Sequence, residues 1–182
     1  MLLTNWSVIT GAPCSGKTVV IDELARRGFR IVPEVARAFI DDEIRKGRRL
    51  VEIKSDAAGF EGHIFRTKIA IEAQLPAHEG LFLDRALPDS IAYYRLEGLD
   101  PAEPMLHSRR VRYRAVFLFE RMGLVKDAVR SEDTETAVRI EGLIEEAYRE
   151  LGYSMVRVPV LPIPERTDFV LRHSTPPGCR PA

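Results

Sequence analysis

The run Gly11-Ala12-Pro13-Cys14-Ser15-Gly16-Lys17-Thr18 satisfies G-x-x-x-x-G-K-[ST] in full. The apolar stretch Ser7-Val8-Ile9-Thr10 leads into it and an amphipathic stretch leads out, which is the strand–loop–helix setting the motif needs. Each residue type has a chemical reason. The glycines let backbone N–H groups turn inward around a phosphate, and the start of the following helix adds partial positive charge. Lys17 is expected to reach the β- and γ-phosphates, and the Thr18 hydroxyl to bind Mg²⁺. Gly11 through Thr18 are therefore the candidate Mg²⁺–ATP site. The loop alone does not choose between ATP and GTP. Cys14 reads as a small loop residue rather than a nucleophile, and the plain alternative for the whole run is an ordinary glycine-rich turn.

Carboxylates and cations stand at three further points. Leu81-Phe82-Leu83-Asp84-Arg85 ends an apolar run on Asp84, where a Walker B acid would hold Mg²⁺, with Arg85 facing an acceptor. The alternative for Asp84 is a strand-end residue capping the next turn. Asp89 follows and either reaches the site or starts a helix. Pro33-Glu34-Val35-Ala36-Arg37 comes just after a second apolar run, so Glu34 falls beyond the carboxyl end of a strand, where open α/β sheets bind ligands. Glu34 is the candidate acceptor-side base and Arg37 a candidate contact to an anionic acceptor, although a glutamate in a first helical turn also suits the helix dipole. Residues 120–133 carry Arg121, Lys126 and Arg130 around Gly123, the composition of a lid that closes over a triphosphate. Arg130 is the candidate for transition-state charge, each cation being otherwise a solvated surface group.

The elements that must position these groups alternate. Strands are expected at 7–10, 29–32, 81–83, 115–119 and 155–158. Helices are expected at 17–27, 34–46, 60–77, 88–96, 134–151 and 164–172, with 48–58 as a loop. Gly28, Gly47 and Gly152 stand where helices should end. Strand–helix alternation implies parallel pairing through right-handed crossovers, hence a three-layer α/β sandwich around a five-stranded parallel sheet. The domain is expected to span 1–173, with 174–182 a disordered tail.

The remaining features of the chain exclude other classes. With 182 residues it is one compact domain in length, and 27 Lys+Arg against 27 Asp+Glu leave no net field for a polyanion. Arg109, Arg110, Arg112 and Arg114 cluster, but without interleaved aromatics, so nucleic acid is disfavoured as a partner. Apolar runs are too short for a membrane span, and the N-terminal residues lack a basic region followed by an apolar one, so the setting expected is cytoplasmic. Cys14 and Cys179 match neither a disulfide framework nor a zinc site. No [NT]-K-x-D segment reads a guanine base and no Leu-Ser-Gly-Gly signature of a transporter ATPase occurs.

Together these pieces make the chain similar to the small P-loop kinase-like ATPase family grouped with the ATPases and kinases of NAD metabolism, an AAA-type, nucleoside-kinase-like domain. The resemblance rests on Ile9–Thr18, Val32-Pro-Glu-Val-Ala-Arg37, Leu83-Asp-Arg-Ala-Leu-Pro-Asp89, Tyr93-Tyr94, Asp127-Ala-Val-Arg130, Tyr148-Arg-Glu-Leu-Gly-Tyr153, and Val158-Pro159 with Pro164-Glu-Arg166. It implies the P-loop nucleoside triphosphate hydrolase fold with strand order 2-3-1-4-5. It also implies Mg²⁺–ATP at residues 11–18 and phosphorylation of a nucleoside-type hydroxyl on a small-molecule acceptor, by a monomer or homodimer. A nucleotide-gated module acting through a partner, and a polynucleotide 5′-kinase, are the rival functions.

Overall fold

The computed structural model describes residues 1–121 and 131–174, the stretch 131–134 by its backbone alone. Five strands form the main sheet: β2 (Trp6–Thr10), β3 (Ile31–Val32), β4 (Leu81–Asp84), β6 (Ala115–Phe119) and β7 (Val156–Val158). They lie in the order β3-β4-β2-β6-β7 and every pair is parallel. Between them run helices α1 (Lys17–Arg26), α2 (Val35–Arg45), α3 (Leu50–Ile53), α4 (Ala57–Glu72), α5 (Leu87–Leu96), α6 (Ala102–Ser108), α7 (Ser131–Glu150) and α8 (Ile163–Ser174).

The period of two along each strand divides the core into two layers. Trp6, Val8, Leu81, Leu83, Val116 and Leu118 face one side, against Ala92 of α5 and Ile140, Ile144 and Tyr148 of α7. Ile9, Phe82, Phe117, Phe119 and Val158 face the other, against Val20, Ile21 and Leu24 of α1 and Val170 of α8. Burial on both faces explains why the central strands read as apolar runs rather than as alternating ones. Among the described residues no helix is long and apolar enough to cross a membrane.

Several elements differ from the sequence reading, each for a local reason. The segment 48–58 is not one loop. Arg49 N–H donates to the Glu52 carboxylate at 3.0 Å to start α3, and Asp56 Oδ1 accepts from Gly59 N–H at 2.9 Å, starting α4 three residues early. Helix α4 ends at Glu72, five residues short of the expected 77. The strand expected from Phe29 shrinks to Ile31–Val32. Helix α6, entered where Asp100 Oδ1 accepts from Ala102 N–H at 3.0 Å, lay hidden beside Pro101 and Pro104. A second, two-stranded parallel sheet joins β1 (Leu2–Leu3) to β5 (Val111–Arg112), and Leu2 and Leu3 are exposed. Helix α7 begins at Ser131, so the end of the 120–133 segment is helical; residues 122–130 lie outside the described residues. Helix α8 runs through Ser174, the first residue of the expected tail, and 175–182 also lie outside.

One buried polar cluster ties α4 to the sheet's ends. Glu72 accepts from Tyr113 Oη at 2.7 Å and from Leu87 N–H at 3.3 Å. Lys68 Nζ donates to Ala86 O at 3.1 Å and Ser90 Oγ at 3.2 Å. Burial pushes the Glu72 carboxyl up to about 7, against the opposing pull of Tyr113 and Lys68. An unfolded glutamate releases its proton near 4.5. Between those two values the unfolded chain has lost a proton that the folded chain keeps, so this group destabilises the fold progressively as pH rises through that window. Its slope is at most about 1.4 kcal/mol per pH unit. Glu72→Gln keeps an acceptor for Tyr113 without the charge. Urea denaturation at pH 5 and pH 7.5 should show the wild type losing stability relative to this variant; parallel curves would place the Glu72 titration outside the window.

Candidate active site

The carboxyl ends of β2 and β4 are adjacent, with Ile9 opposite Asp84, and the loop 11–16 leaves β2 at that edge. Gly11 adopts φ +139°, and a Cβ there would stand 2.8 Å from Phe119 O at the end of β6. Only glycine lets the chain pass so close. Cys14 also takes a positive φ of 60° and is exposed, as is Pro13, whereas Ala12 and Ser15 are buried. Gly16, at φ 78°, caps α1.

Lys17 folds back over its own loop. Its Nζ donates to Gly11 O at 2.9 Å, Ala12 O at 2.7 Å and Ser15 Oγ at 3.1 Å. Burial first, and then the Arg85 charge, pull this ammonium down to about 7, against Asp84, Glu34 and Asp89. Thr18 is exposed in the first turn of α1. Asp84 is buried at the end of β4, and its Oδ1 has no hydrogen-bond partner among the described residues. Burial, then the neighbouring Glu34 charge, push it up to about 6. An orphaned buried carboxylate oxygen beside a lysine fits a position meant for a cation. Among the described residues no group of three His, Cys, Asp or Glu could hold a metal by itself. A cation here would need phosphate oxygens as well, as Mg²⁺ at nucleotide sites does.

Arg85, the next residue, takes a positive φ of 65° and is buried. This conformation is uncommon for a side-chain-bearing residue, and the surroundings hold it. Its Nε donates to Glu34 Oε1 at 2.9 Å, its Nη1 to Asp89 Oδ1 at 3.3 Å, and its guanidinium lies 5.3 Å from the Tyr93 ring centre. Asp89 is wholly buried and also accepts from Thr10 Oγ1, from Ala86 N–H at 2.9 Å and from Tyr148 Oη at 2.7 Å. Burial works against its charge, but Arg85, Lys68 and these hydrogen bonds hold Asp89 below the ordinary carboxylate range.

The structure thus brings Lys17, Asp84, Arg85 and Glu34 together and sorts the other candidates differently. Asp89 starts α5 and anchors Arg85; with its oxygens already engaged, it does not face an acceptor. Arg37 does not join the cluster: one turn further along α2 than Glu34, it is exposed and pairs with Asp41 at 3.3 Å. Arg121 pairs with Glu141 of α7 at 2.9 Å. Lys126 and Arg130 lie outside the described residues. The basic cluster before β6 disperses, since Arg112 lies 4.0 Å from the Tyr153 ring centre and donates to Leu151 O and Gly152 O at 3.0 and 2.8 Å, closing the end of α7.

Arg166 carried no role in the sequence reading beyond its place in the Pro164-Glu-Arg166 run. It is buried on α8, donating to Ser15 O at 2.7 Å, Glu120 O at 2.9 Å and Val158 O at 3.2 Å, with its guanidinium 4.5 Å from the Phe119 ring centre. It clamps the phosphate loop to the ends of β6 and β7. No local pattern could have shown this, because 151 positions separate Arg166 from Ser15.

The loop, the helix it opens and the parallel sheet define a P-loop α/β protein. Within that class the chain belongs to the AAA domain family, which matches residues 6–166. Among solved structures, the fold is similar to a deoxyadenosine kinase from M. mycoides, solved with dCMP and dCDP, at TM-score 0.61 and 14% identity over 92% of this chain and 97% of that one. NadR in complex with NR is similar at TM-score 0.69 and 15% identity; this chain aligns over 100% of its length and spans about half of NadR, 53%. A thymidylate kinase from Ehrlichia chaffeensis is similar at TM-score 0.63 and 14% identity over 95% and 100% of the two chains. At these identities the likeness is one of fold. No curated protein matches the sequence.

Arg166→Met removes three carbonyl contacts of a charged donor while filling most of the volume. It should lower stability by about 1.5–3 kcal/mol in chemical denaturation, and Arg166→Lys should recover part of that loss. Equal stability of all three proteins would show that the clamp is not holding the loop.

Proposed function

We propose that the chain binds Mg²⁺–ATP on residues 11–18 and transfers the γ-phosphoryl group to a hydroxyl of a small molecule of nucleoside type. The observation that carries this reading is the pair of carboxylates at the edge beside the phosphate loop: buried Asp84, whose Oδ1 has no hydrogen-bond partner among the described residues, and Glu34 held from behind by Arg85. Two acids so placed can divide the labour, one toward the metal and one toward the acceptor. The nucleoside kinase folds found in comparison support the same reading.

Lys17 leaves its loop carbonyls for the β- and γ-phosphate oxygens, and the charge brought by the nucleotide favours its ammonium form. Thr18 and Asp84 would hold Mg²⁺, which supplies neutralisation of the phosphate charge. The acceptor oxygen forms a bond to the γ-phosphorus as the bond to the β–γ bridging oxygen breaks, releasing ADP. The hydroxyl proton passes to Glu34, whose Oε1 already accepts from Arg85 Nε, leaving Oε2 for the acceptor. Because the transition state is loose, orientation of the acceptor counts for more than the strength of the base. The arginine in the 120–133 segment proposed to meet the transferred group is Arg130.

Lys17→Ala should abolish ATP binding in calorimetry while circular dichroism stays native; unchanged affinity would refute the loop's role. With an acceptor found from a nucleoside panel, Glu34→Gln should depress acceptor-dependent turnover about tenfold or more and spare ATP affinity. Asp84→Asn should instead raise the Mg²⁺ requirement and damage basal hydrolysis too. Exchanged phenotypes would exchange the two roles. If no acceptor raises turnover above basal hydrolysis, the nucleotide-gated module replaces the kinase.

A further inference from the structure

We propose that Glu61 selects the phosphoryl acceptor by accepting hydrogen bonds from it, and that the acceptor is uncharged at this point rather than a phosphate ester. The inference rests on the kinase reading above and extends it to a residue and a substrate class.

Glu61, Phe65, Lys68 and Glu72 recur at i, i+4, i+7 and i+11 along α4, and all four are buried, so they form one stripe. That stripe faces α5: Phe65 meets Tyr94 edge-on at 6.2 Å, and Lys68 reaches Ser90 and Ala86. Lys68 and Glu72 have their partners. Glu61, at the other end of the stripe, is only 7% exposed, and among the described residues no group donates a hydrogen bond to its carboxylate or forms an ion pair with it. Its neighbour Phe60 packs 5.9 Å from Phe39 of α2, so this end of α4 lies between α5 and the helix that Glu34 caps. Burial raises the Glu61 carboxyl to about 6, and Lys68, Glu97, Lys54 and Arg85 are the charges that act on it. The Glu61 oxygens are not sealed from solvent, so a largely covered side chain with no donor among the described residues presents its carboxylate outward, where a ligand's hydroxyl or N–H groups can donate to it.

The charges at this end decide what kind of ligand. Arg85 is already matched by Glu34 and Asp89, and Lys68 by its two oxygen acceptors. Arg37 faces Asp41 in solvent, and Lys54 is exposed over the Phe60 ring at 5.8 Å. Against these stand Glu34, Asp84, Glu61 and Glu97. A phosphate dianion placed here would meet carboxylates and, among the described residues, no unmatched buried cation. A nucleoside or similar polyol offers donors and no charge, and suits the site.

The test compares nucleosides with their own 5′-monophosphates as acceptors, using the full chain with ATP and Mg²⁺. Nucleosides should be favoured about a hundredfold in kcat/KM. Glu61→Gln should raise the nucleoside KM about tenfold with little change in kcat, and should narrow the preference over monophosphates. Glu61→Asp, keeping the charge, should recover part of the KM. A merely structural Glu61 would change thermal stability and leave the selectivity ratio untouched, which would overturn the proposal. Phosphorylation of monophosphates in preference to nucleosides would also overturn it while leaving the kinase reading intact. ATP hydrolysis that responds to neither class would remove the kinase reading and this inference with it.

Discussion

A buried guanidinium has to be neutralised from several directions, and the arrangement around Arg85 organises the whole carboxyl edge of the sheet. Asp89 answers it from the first turn of α5 and Glu34 from the start of α2. Asp89 in turn gathers Thr10 from the end of β2 and Tyr148 from α7. One ion-paired network therefore fixes the strand that feeds the phosphate loop, the two helices beyond β4 and the long helix behind them. Burying charge is unfavourable unless every partner is in place, and removing one partner leaves the others uncompensated. The network therefore favours one relative placement of these elements over near alternatives, and the positive φ of Arg85 is held as part of it.

The phosphate loop stands on the other side of the same edge and is shaped mainly by backbone. Gly11 passes against Phe119, Lys17 fills the loop from within, and Arg166 holds it from behind. Two apolar layers keep the strands that end here in register, so Asp84 at the end of β4 and Lys17 at the start of α1 both stand on regular elements. The division agrees with the proposed phosphoryl-transfer reading, which puts the donor on one strand-to-helix turn and the acceptor on the next strand over.

How much of this the sequence disclosed depended on whether a feature is local. The phosphate loop is contiguous, and its glycines and lysine have one good explanation, so it could be read directly. The alternation of strand and helix gave the three-layer class because apolar runs and amphipathic stretches have different periods. Asp84 and Glu34 were legible as carboxylates that follow apolar runs. Asp89 was not separable in advance, because a helix-start acid and a ligand-facing acid look the same until Thr10 and Tyr148 are seen to close on it. Arg37 stands apart from the cluster, paired with Asp41 in solvent, a pairing within its own helix that the run Pro33–Arg37 does not display. Strands β1 and β5, two residues each, are too short to carry a period, and α6 sits among prolines. Arg166 and the Glu61 stripe needed the tertiary structure, since their partners are distant in sequence or, for Glu61, not found among the described residues.

The clamp from Arg166 has a consequence for how the protein is made. The loop's own residues are synthesised 151 positions before the guanidinium that seats Ser15 O, which arrives only with α8, the helix that also packs against α1 through the Val170 layer. A nascent chain can thus pair its early strands and form the core beneath the loop long before the loop acquires its final support. Until α8 docks, the loop has its own sequence and an incomplete backing. Translation order and site assembly run in opposite directions here: the residues of the loop come first, and the residue that fixes their shape comes 151 positions later.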